Sequence, residues 1–319
     1  MIENKVIIIT GGAGFIGSHL FETLIKYNNF IYIIDNFNNY YSGKEDNIKE
    51  ITKGYNEGKD FKIIRQDLVN FSAFDSIDKK VDIIFHLAAQ AGVRYSINNA
   101  SEITNNNIVS TINVFEYALK NNVEKVVFAS SSSVYGNPQY TPLDENHPKK
   151  PISPYAVSKL CCEIYADYYF RERNLPITSL RFYTVYGPRG RPDMAVRKFF
   201  TKILNDEEII IYGDGTQLRD FTFVSDIING IILAGENPKS SGEVFNLGLS
   251  NPISVNKLVD MMYSIANKEK KIKYIDKQEG DVDITYSDTQ KANKILKYYP
   301  KVSIEEGLKI TYKWLKNIK

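Results

Sequence analysis

The sequence predicts an α/β protein, a doubly wound parallel sheet with a second, smaller α/β lobe. Three observations predict it. Apolar runs of strand length alternate with helical patterns as far as about residue 180, the pattern of parallel strands joined by helical crossovers. The first of these runs enters a glycine-rich turn, Gly11-Gly-Ala-Gly-Phe-Ile-Gly17, that opens a helix. Beyond Tyr183 the alternation gives way to shorter strands and longer loops. The expected division is 1–180 with roughly 220–248 as the sheet domain, and 181–219 with 249–319 as the smaller lobe. A ligand cleft belongs between the two lobes.

Each element has its own reason. Lys5-Val-Ile-Ile-Ile-Thr10 is a continuous apolar run suited to a strand covered on both faces, and the helical pattern after the glycines runs to Tyr27. Phe30–Ile34 is a second strand ending at Asp35. The polar stretch Asn36–Lys59 is too long for a tight turn and reads as an excursion around a site. Phe61–Arg65 is a third strand, Val81–Ala88 a fourth, Ser101–Leu119 a helix and Val126–Ala129 the fifth strand. Pro154–Arg173 is the next helix, capped by Ser153 with proline in its first turn; Ile177–Phe182 is the sixth strand. The later elements are a helix over Ala195–Leu204, strands at Ile209–Tyr212 and Val244–Leu247, the segment Asp220–Val224 after a loop, and a helix through Ala234 that Ser225-Asp226 can cap. The rest is mostly helical, with a strand near Lys271–Ile275.

Composition excludes several classes. The chain is 319 residues long, 43% hydrophobic and 24% charged, as expected of a globular protein with a large core. Lys+Arg 40 nearly balance Asp+Glu 38, so nothing points to nucleic acid or an anionic membrane. Cys161 and Cys162 are neighbours that point about 100° apart on a helix, which disfavours pairing and suits packing in a reducing compartment. His19, His86 and His147 are scattered and form no metal-ligand pattern. The start Met1-Ile-Glu-Asn-Lys5 enters a strand without a signal peptide. No apolar run approaches the roughly 20 residues of a membrane helix, and the expected location is cytoplasmic.

The glycine turn carries the first chemistry. Gly12-x-Gly14-x-x-Gly17, with Gly11 giving a second reading of the spacing, stands between strand and helix as a dinucleotide fingerprint requires. Gly11, Gly14, Phe15, Ile16 and Gly17 would bring backbone and helix N-terminus against a pyrophosphate. Asp35, followed by Asn36, closes the second strand where a carboxylate meets the adenosine ribose. That charge repels a 2′-phosphate and no Lys or Arg follows within Asn36–Tyr41, so NAD is favoured over NADP. Asp67-Leu68 could meet the adenine, or Asp67 could only cap a turn. Leu87, Ala88 and Ala89 suit a wall beside the cofactor, and equally suit simple strand packing.

The second chemistry lies at Tyr155 and Lys159, which share one helix face at i and i+4. A phenol loses its proton only near pH 10; a nearby ammonium stabilises the phenolate and makes it a usable base. Among 22 tyrosines in a Lys-rich chain such a pair is weak evidence alone. Upstream, Ser130-Ser-Ser-Ser-Val-Tyr-Gly136 follows a buried strand and places hydroxyls where open α/β sheets bind ligands.

These motifs resemble those of the extended short-chain dehydrogenase/reductases of Rossmann fold, over essentially the whole chain. They are Thr10–Gly17, His86–Ala89, Ser131–Gly136, Tyr155-x-x-x-Lys159 and Arg219–Asp226. Finer features are similar to the UDP-glucuronate 4-epimerases: Asp35–Tyr41, Gln90–Tyr95, Thr184–Met194 and Gly280-Asp-Val282. The resemblance implies bound NAD, a UDP-sugar substrate and usually a homodimer built from helices Ser101–Leu119 and Pro154–Arg173. Leu160, Ile164 and Tyr168 could form that interface or face the sheet.

It also implies roles. Tyr155 exchanges the proton of the sugar 4-OH, Lys159 lowers its pKa and holds the nicotinamide ribose, Ser131 bonds the same oxygen, and Ser132 and Ser133 line the pocket. A 4-keto uronate is a β-keto acid that loses CO₂ when the breaking bond aligns with the carbonyl, so its carboxylate must be held. Thr184 and Arg191 are candidates, with Arg189 and Arg94 as rivals. Arg219 is expected on a phosphate, or in an ion pair with Asp220 or Asp226, and Asp281 on the uridine ribose. A decarboxylase or a UDP-glucose epimerase would share most of these parts. A 4,6-dehydratase would need an acid and a base where Ser132 and Ser133 stand. A non-catalytic NAD sensor has no use for Tyr155, Lys159 and Ser131 together.

Overall fold

A computed structural model describes residues 1–277 and 282–318. Six strands come from the first 182 residues: β1 Val6–Thr10, β2 Phe30–Asp35, β3 Phe61–Arg65, β4 Ile83–His86, β5 Lys125–Ser131 and β6 Ile177–Phe182. With Val244–Leu247 they form one seven-stranded sheet, ordered Val244–Leu247, β6, β5, β4, β1, β2, β3. Every neighbouring pair is parallel.

The apolar runs are continuous because both faces are covered. In β1, Ile7 and Ile9 pack into one core while Ile8 enters the other; in β5, Val127 and Ala129 part from Val126 and Phe128 in the same way. A period of two along each strand divides the side chains between two helical layers.

Chain order reverses beside β1. The strands progress β1 to β2 to β3 toward one edge, then β4 returns to the other side of β1. The carboxyl ends of β1 and β4 therefore diverge into separate loops, and the crevice between them is where such sheets bind ligands. Gly11 leaves one of these ends and Leu87 the other. The close approach there requires glycine: a Cβ on Gly11 would lie 2.9 Å from Ala88 Cα, and one on Gly17 would lie 2.3 Å from the Gly11 carbonyl oxygen.

Several local expectations change. Asn36–Lys59 contains a helix, Lys44–Ile51, which buries Asn47, Ile48 and Ile51. The expected helix Ser101–Leu119 is three pieces, Ala100–Thr104, a π-turn at Asn105–Val109, and Ser110–Lys120. Asn107 in that turn donates to Ser158 Oγ at 2.9 Å and to the Gln90 carbonyl, and accepts from the Gln90 N–H. Its bonds to two other segments outweigh one turn of regular helix. Ser225 and Asp226 do not cap. The helix Val224–Glu236 starts at Phe223 without a side-chain cap, because Asp226 is buried and accepts from the Lys301 and Val302 N–H groups. β5 runs two residues further than expected, through Ser131. Among the described residues no helix is long and apolar enough to cross a membrane.

Candidate active site

At the carboxyl end of the sheet lies a cleft of about 1100 Å³, larger than the roughly 300–1,000 Å³ of one small-molecule site. Its lining includes the described residues expected at the site, from Gly11 and Asp35 through Ser131 and Tyr155 to Thr184 and Arg219, with the exception of Gly12 and the rival Arg189. Asp281 lies outside the described residues.

The cofactor end is built by the glycine turn. Gly14 is the N-cap of helix Phe15–Leu24 and no side chain caps it, so its first-turn N–H groups and dipole face the cleft as an anion site. Asp35 is buried at the end of β2, where its carboxylate accepts from the Ala13 and Phe37 N–H groups at 3.3 and 2.8 Å. Asn36 donates to Asp67 Oδ2 at 2.9 Å, while Asp67 Oδ1 takes the Val69 N–H. Asp67 thus caps its turn and also faces the same pocket with Leu68. Leu87, Ala88 and Ala89 form the cleft wall beside β4. The stretch Asn36–Tyr41 holds no Lys or Arg, but a cation from just beyond it stands beside Asp35. Lys44 Nζ is 3.5 Å from Asp35 Oδ1 with its side chain only 11% exposed. It comes from the unexpected helix, three residues beyond Tyr41. These residues fit a dinucleotide, with apolar wall, ribose carboxylate and open helix terminus in register.

The chemical end gathers β5, helix Pro154–Arg173 and the segment after β6. Ser153 caps the helix through the Ala156 N–H, and Ser131, the last residue of β5, hydrogen-bonds Ser133 and the Tyr155 phenol. Ser132 and Ser133 begin the next turn at the cleft wall. Burial pushes the Tyr155 pKa above its ordinary value; the Arg191 charge and then the Ser131 hydrogen bond pull it down. The expected pull of Lys159 is replaced here by that of Arg191. Lys159 directs its ammonium to the Ala129 carbonyl at 2.7 Å and lies over the Phe128 ring. Burial lowers its pKa to about 8, opposed by the charges of Cys162 and Glu163.

The three arginine candidates separate clearly. Arg189 faces away from the cleft chemistry: it is buried and clamps Glu22, Glu50 and His19. Arg94 is exposed and stacks over Tyr212 at 4.6 Å. Arg191 stands in the cleft near Tyr155 and Tyr40, gripping Asp193 through Nε and Nη2 at 3.0 and 2.6 Å. Thr184 opens the strand Thr184–Tyr186 at the same wall. Arg219 pairs with neither Asp220 nor Asp226 by hydrogen bond; its Nη1 donates to the Leu218 and Asp283 carbonyls. Asp220 instead accepts from Leu249, Ser250 and Ser287.

Sequence reasoning missed Tyr40, Gln90 and Asp193 in the cleft lining, and the buried Asn107 that holds Gln90 from behind. Tyr40 and Gln90 lie in motifs already singled out, and Asp193 follows Arg191 by two residues, so spacing could have nominated all three. The Gln90 side-chain nitrogen is buried at the cleft without a hydrogen-bond partner.

Comparison with known proteins agrees with this geometry. The family described as GDP-mannose 4,6 dehydratase matches residues 8–311. A UDP-glucuronate 4-epimerase of Thermodesulfobacterium geofontis is 39% identical, covering 97% of this chain and 95% of that one. A UDP-glucuronic acid 4-epimerase of Bacillus cereus, solved with UDP-glucuronic acid and NAD, superposes with TM-score 0.91 at 34% identity, covering 98% of this chain and 100% of that one. A UDP-N-acetylglucosamine 4-epimerase of Methanobrevibacter ruminantium, solved with UDP-N-acetylmuramic acid, also gives 0.91 at 34% identity over 100% of both chains. The chain therefore belongs to the extended short-chain dehydrogenase/reductases of the GDP-mannose 4,6-dehydratase family.

Proposed function

We propose that this chain is an NAD-dependent UDP-sugar 4-epimerase and that its substrate is UDP-glucuronate, converted to UDP-galacturonate. The observation that carries the uronate is Arg191, a guanidinium that lines the cleft with Tyr155 and whose charge lowers the Tyr155 pKa against the burial that raises it. A cation beside the reacting hydroxyl suits a sugar with a carboxylate next to C4. The carboxylate would share the guanidinium with Asp193 or displace it, with Thr184 completing the grip. That hold keeps the C–CO₂⁻ bond out of line with the 4-keto π system and so prevents decarboxylation.

When bound, NAD supplies a reversible hydride acceptor for sugar C4. Gly11, Gly14, Phe15, Ile16, Gly17, Asp35 and Lys159 would hold it. Tyr155 as phenolate takes the 4-OH proton, Ser131 donates to the same oxygen, and the proton returns from Tyr155 after the keto sugar turns its other face. Ser132 and Ser133 line the sugar pocket, and Arg219 neutralises a phosphate. Hydroxyls at 132 and 133 cannot serve as the acid and base of a dehydratase, although the family carries that name.

The homodimer reading is supported by an exposed apolar face. Ile164 is 62% and Tyr168 43% exposed, with Val157, Tyr165, Ile97 and Val109 also open to solvent. Leu160 turns inward against Val134, Tyr135, Leu143 and Tyr183.

Arg191→Ala tests the substrate. The preference in kcat/KM for UDP-glucuronate over UDP-glucose should fall on the order of tenfold or more, the worth of one charged hydrogen bond. An unchanged ratio would remove Arg191 from carboxylate recognition.

A further inference from the structure

The loop after the strand Thr184–Tyr186 carries two arginines whose side chains part company. Arg191 lines the cleft with Tyr155, whereas Arg189, two residues earlier, is buried outside that lining. The chain turns at Arg189 through the left-handed region, φ 58°, which a residue with a Cβ occupies only at a cost. The side chain is 3% exposed and its Nε has no hydrogen-bond partner among the described residues, a second cost. Two local penalties at one residue persist only where the surroundings fix them, and they gather at functional sites.

What fixes Arg189 is the cofactor side of the molecule. Nη2 donates to Glu22 at 2.5 Å and to His19 Nδ1 at 2.9 Å, both on helix Phe15–Leu24. Nη1 donates to Glu50 at 3.1 Å, on helix Lys44–Ile51. His19 closes the clamp: its Nε2 gives its proton to the Pro188 carbonyl at 2.9 Å, so Nδ1 is the acceptor that the guanidinium needs. Burial and then the Arg189 charge lower the His19 pKa to about 4, which keeps that nitrogen unprotonated at neutral pH. Further along the loop, Arg197 donates to the Gly190 carbonyl at 2.5 Å, and the Met194 N–H to the Arg191 carbonyl at 3.1 Å. The backbone that carries Arg191 is therefore held at several points, and its main anchor is the helix whose N-terminus is the anion site of the cleft.

We propose that Arg189 is a positioning residue: by clamping its loop to the cofactor helix it fixes where Arg191 stands relative to Tyr155, and so sets the preference for a uronate. The inference rests on the reading of Arg191 as the ligand of the sugar carboxylate. A guanidinium grips a carboxylate through two parallel hydrogen bonds, so a loop displaced by about 1 Å spoils the grip. A sugar with a neutral C6 hydroxymethyl group makes no such pair and loses less. Glu22 and Glu50 are 43% and 54% exposed, so water solvates both once Arg189 is replaced and no buried charge is left behind.

A double-mutant cycle tests the clamp. Arg189→Met, Arg191→Ala and the double variant, each as the full chain with NAD, are compared by kcat/KM on UDP-glucuronate and on UDP-glucose and by the pH dependence of the rate. Arg189→Met should lower the preference for UDP-glucuronate on the order of tenfold, as for one charged hydrogen bond. Its rate should also climb at a higher pH, as in Arg191→Ala. In the Arg191→Ala background the same replacement should change the preference by less than about twofold and leave the profile in place, since no guanidinium remains to be positioned. An unmoved preference or pH profile in Arg189→Met, or changes of equal size in both backgrounds, would overturn the clamp. If Arg189→Met does not fold by circular dichroism, Arg189→Lys, which keeps the charge but not the fork, carries the same comparison with a smaller expected fall. Where Arg191→Ala itself leaves the preference unchanged, the carboxylate reading fails instead, and the pH profile alone decides whether Arg189 places Arg191.

Discussion

Tyr155 works in a field with one strong opposing influence. Burial favours the neutral phenol, whereas Arg191 and Ser131 favour the phenolate. The base is the deprotonated form, so the rate should climb with pH until the raised pKa is passed. In Arg191→Ala that climb should move to higher pH, because the larger of the two lowering influences is gone; an unmoved profile would separate Arg191 from the base. Tyr155→Phe keeps the ring and loses the proton carrier. Its kcat should drop by roughly 10²–10⁴ while NAD binding, followed by fluorescence, persists. At this scale the sequence was most readable where chemistry demands fixed spacing. Tyr155 and Lys159 are four apart on a helix that begins at a visible Ser-Pro signal. The partner of Tyr155 was not readable, because Arg191 reaches it through the fold across the cleft, and Lys159 finds a carbonyl on β5 instead.

Helix Pro154–Arg173 is bound to the sheet by a buried ion pair that runs beneath the catalytic groups. Arg181 on β6 grips Glu163 with Nε and Nη2 at 2.8 and 2.6 Å. Ser130 donates to the same carboxylate, and Arg181 also donates to the Tyr135 hydroxyl, which bonds Asn246. One network thus joins the helix of Tyr155 and Lys159 to the strand that ends in Ser131. Glu163→Ala strands a buried guanidinium and should cost about 3–5 kcal/mol in urea unfolding. Replacing both partners with Leu and Met should recover much of that loss; a single variant as stable as the parent would contradict the account. Element existence was legible from periodicity, and helices Pro154–Arg173 and Ala195–Leu204 have the predicted bounds. Lys44–Ile51 was hidden because its short pattern is mostly polar, with few apolar positions to set a period. The π-turn at Asn105–Val109 was equally hidden, since it exists to aim Asn107 at Gln90 and Ser158 rather than to satisfy local propensity.

For the whole molecule, the strand order decides where everything else happens. The reversal beside β1 opens the crevice, and the segments after β2, β4, β5 and β6 each deliver residues into it. The sheet domain could be read almost entirely from alternating runs. The cleft's second wall could not, because short strands such as Thr184–Tyr186 and Leu218–Arg219 pair only through contacts made after folding. The outer face of Pro154–Arg173 leads to an expectation of the same scale. Ile164→Glu should convert the proposed homodimer to a monomer in sedimentation velocity, since a charge would sit in the middle of the apolar patch; an unchanged sedimentation coefficient would place the interface elsewhere. The central claim, that the cleft inverts C4 of a nucleotide-linked uronate, meets its most direct test in the products. Purified protein is given UDP-glucuronate in one tube and UDP-glucose in another, and the sugar protons are followed by NMR. The account predicts UDP-galacturonate with the carboxyl group intact and much slower inversion of UDP-glucose. A faster reaction with UDP-glucose, release of CO₂, or no change in either sugar would contradict it.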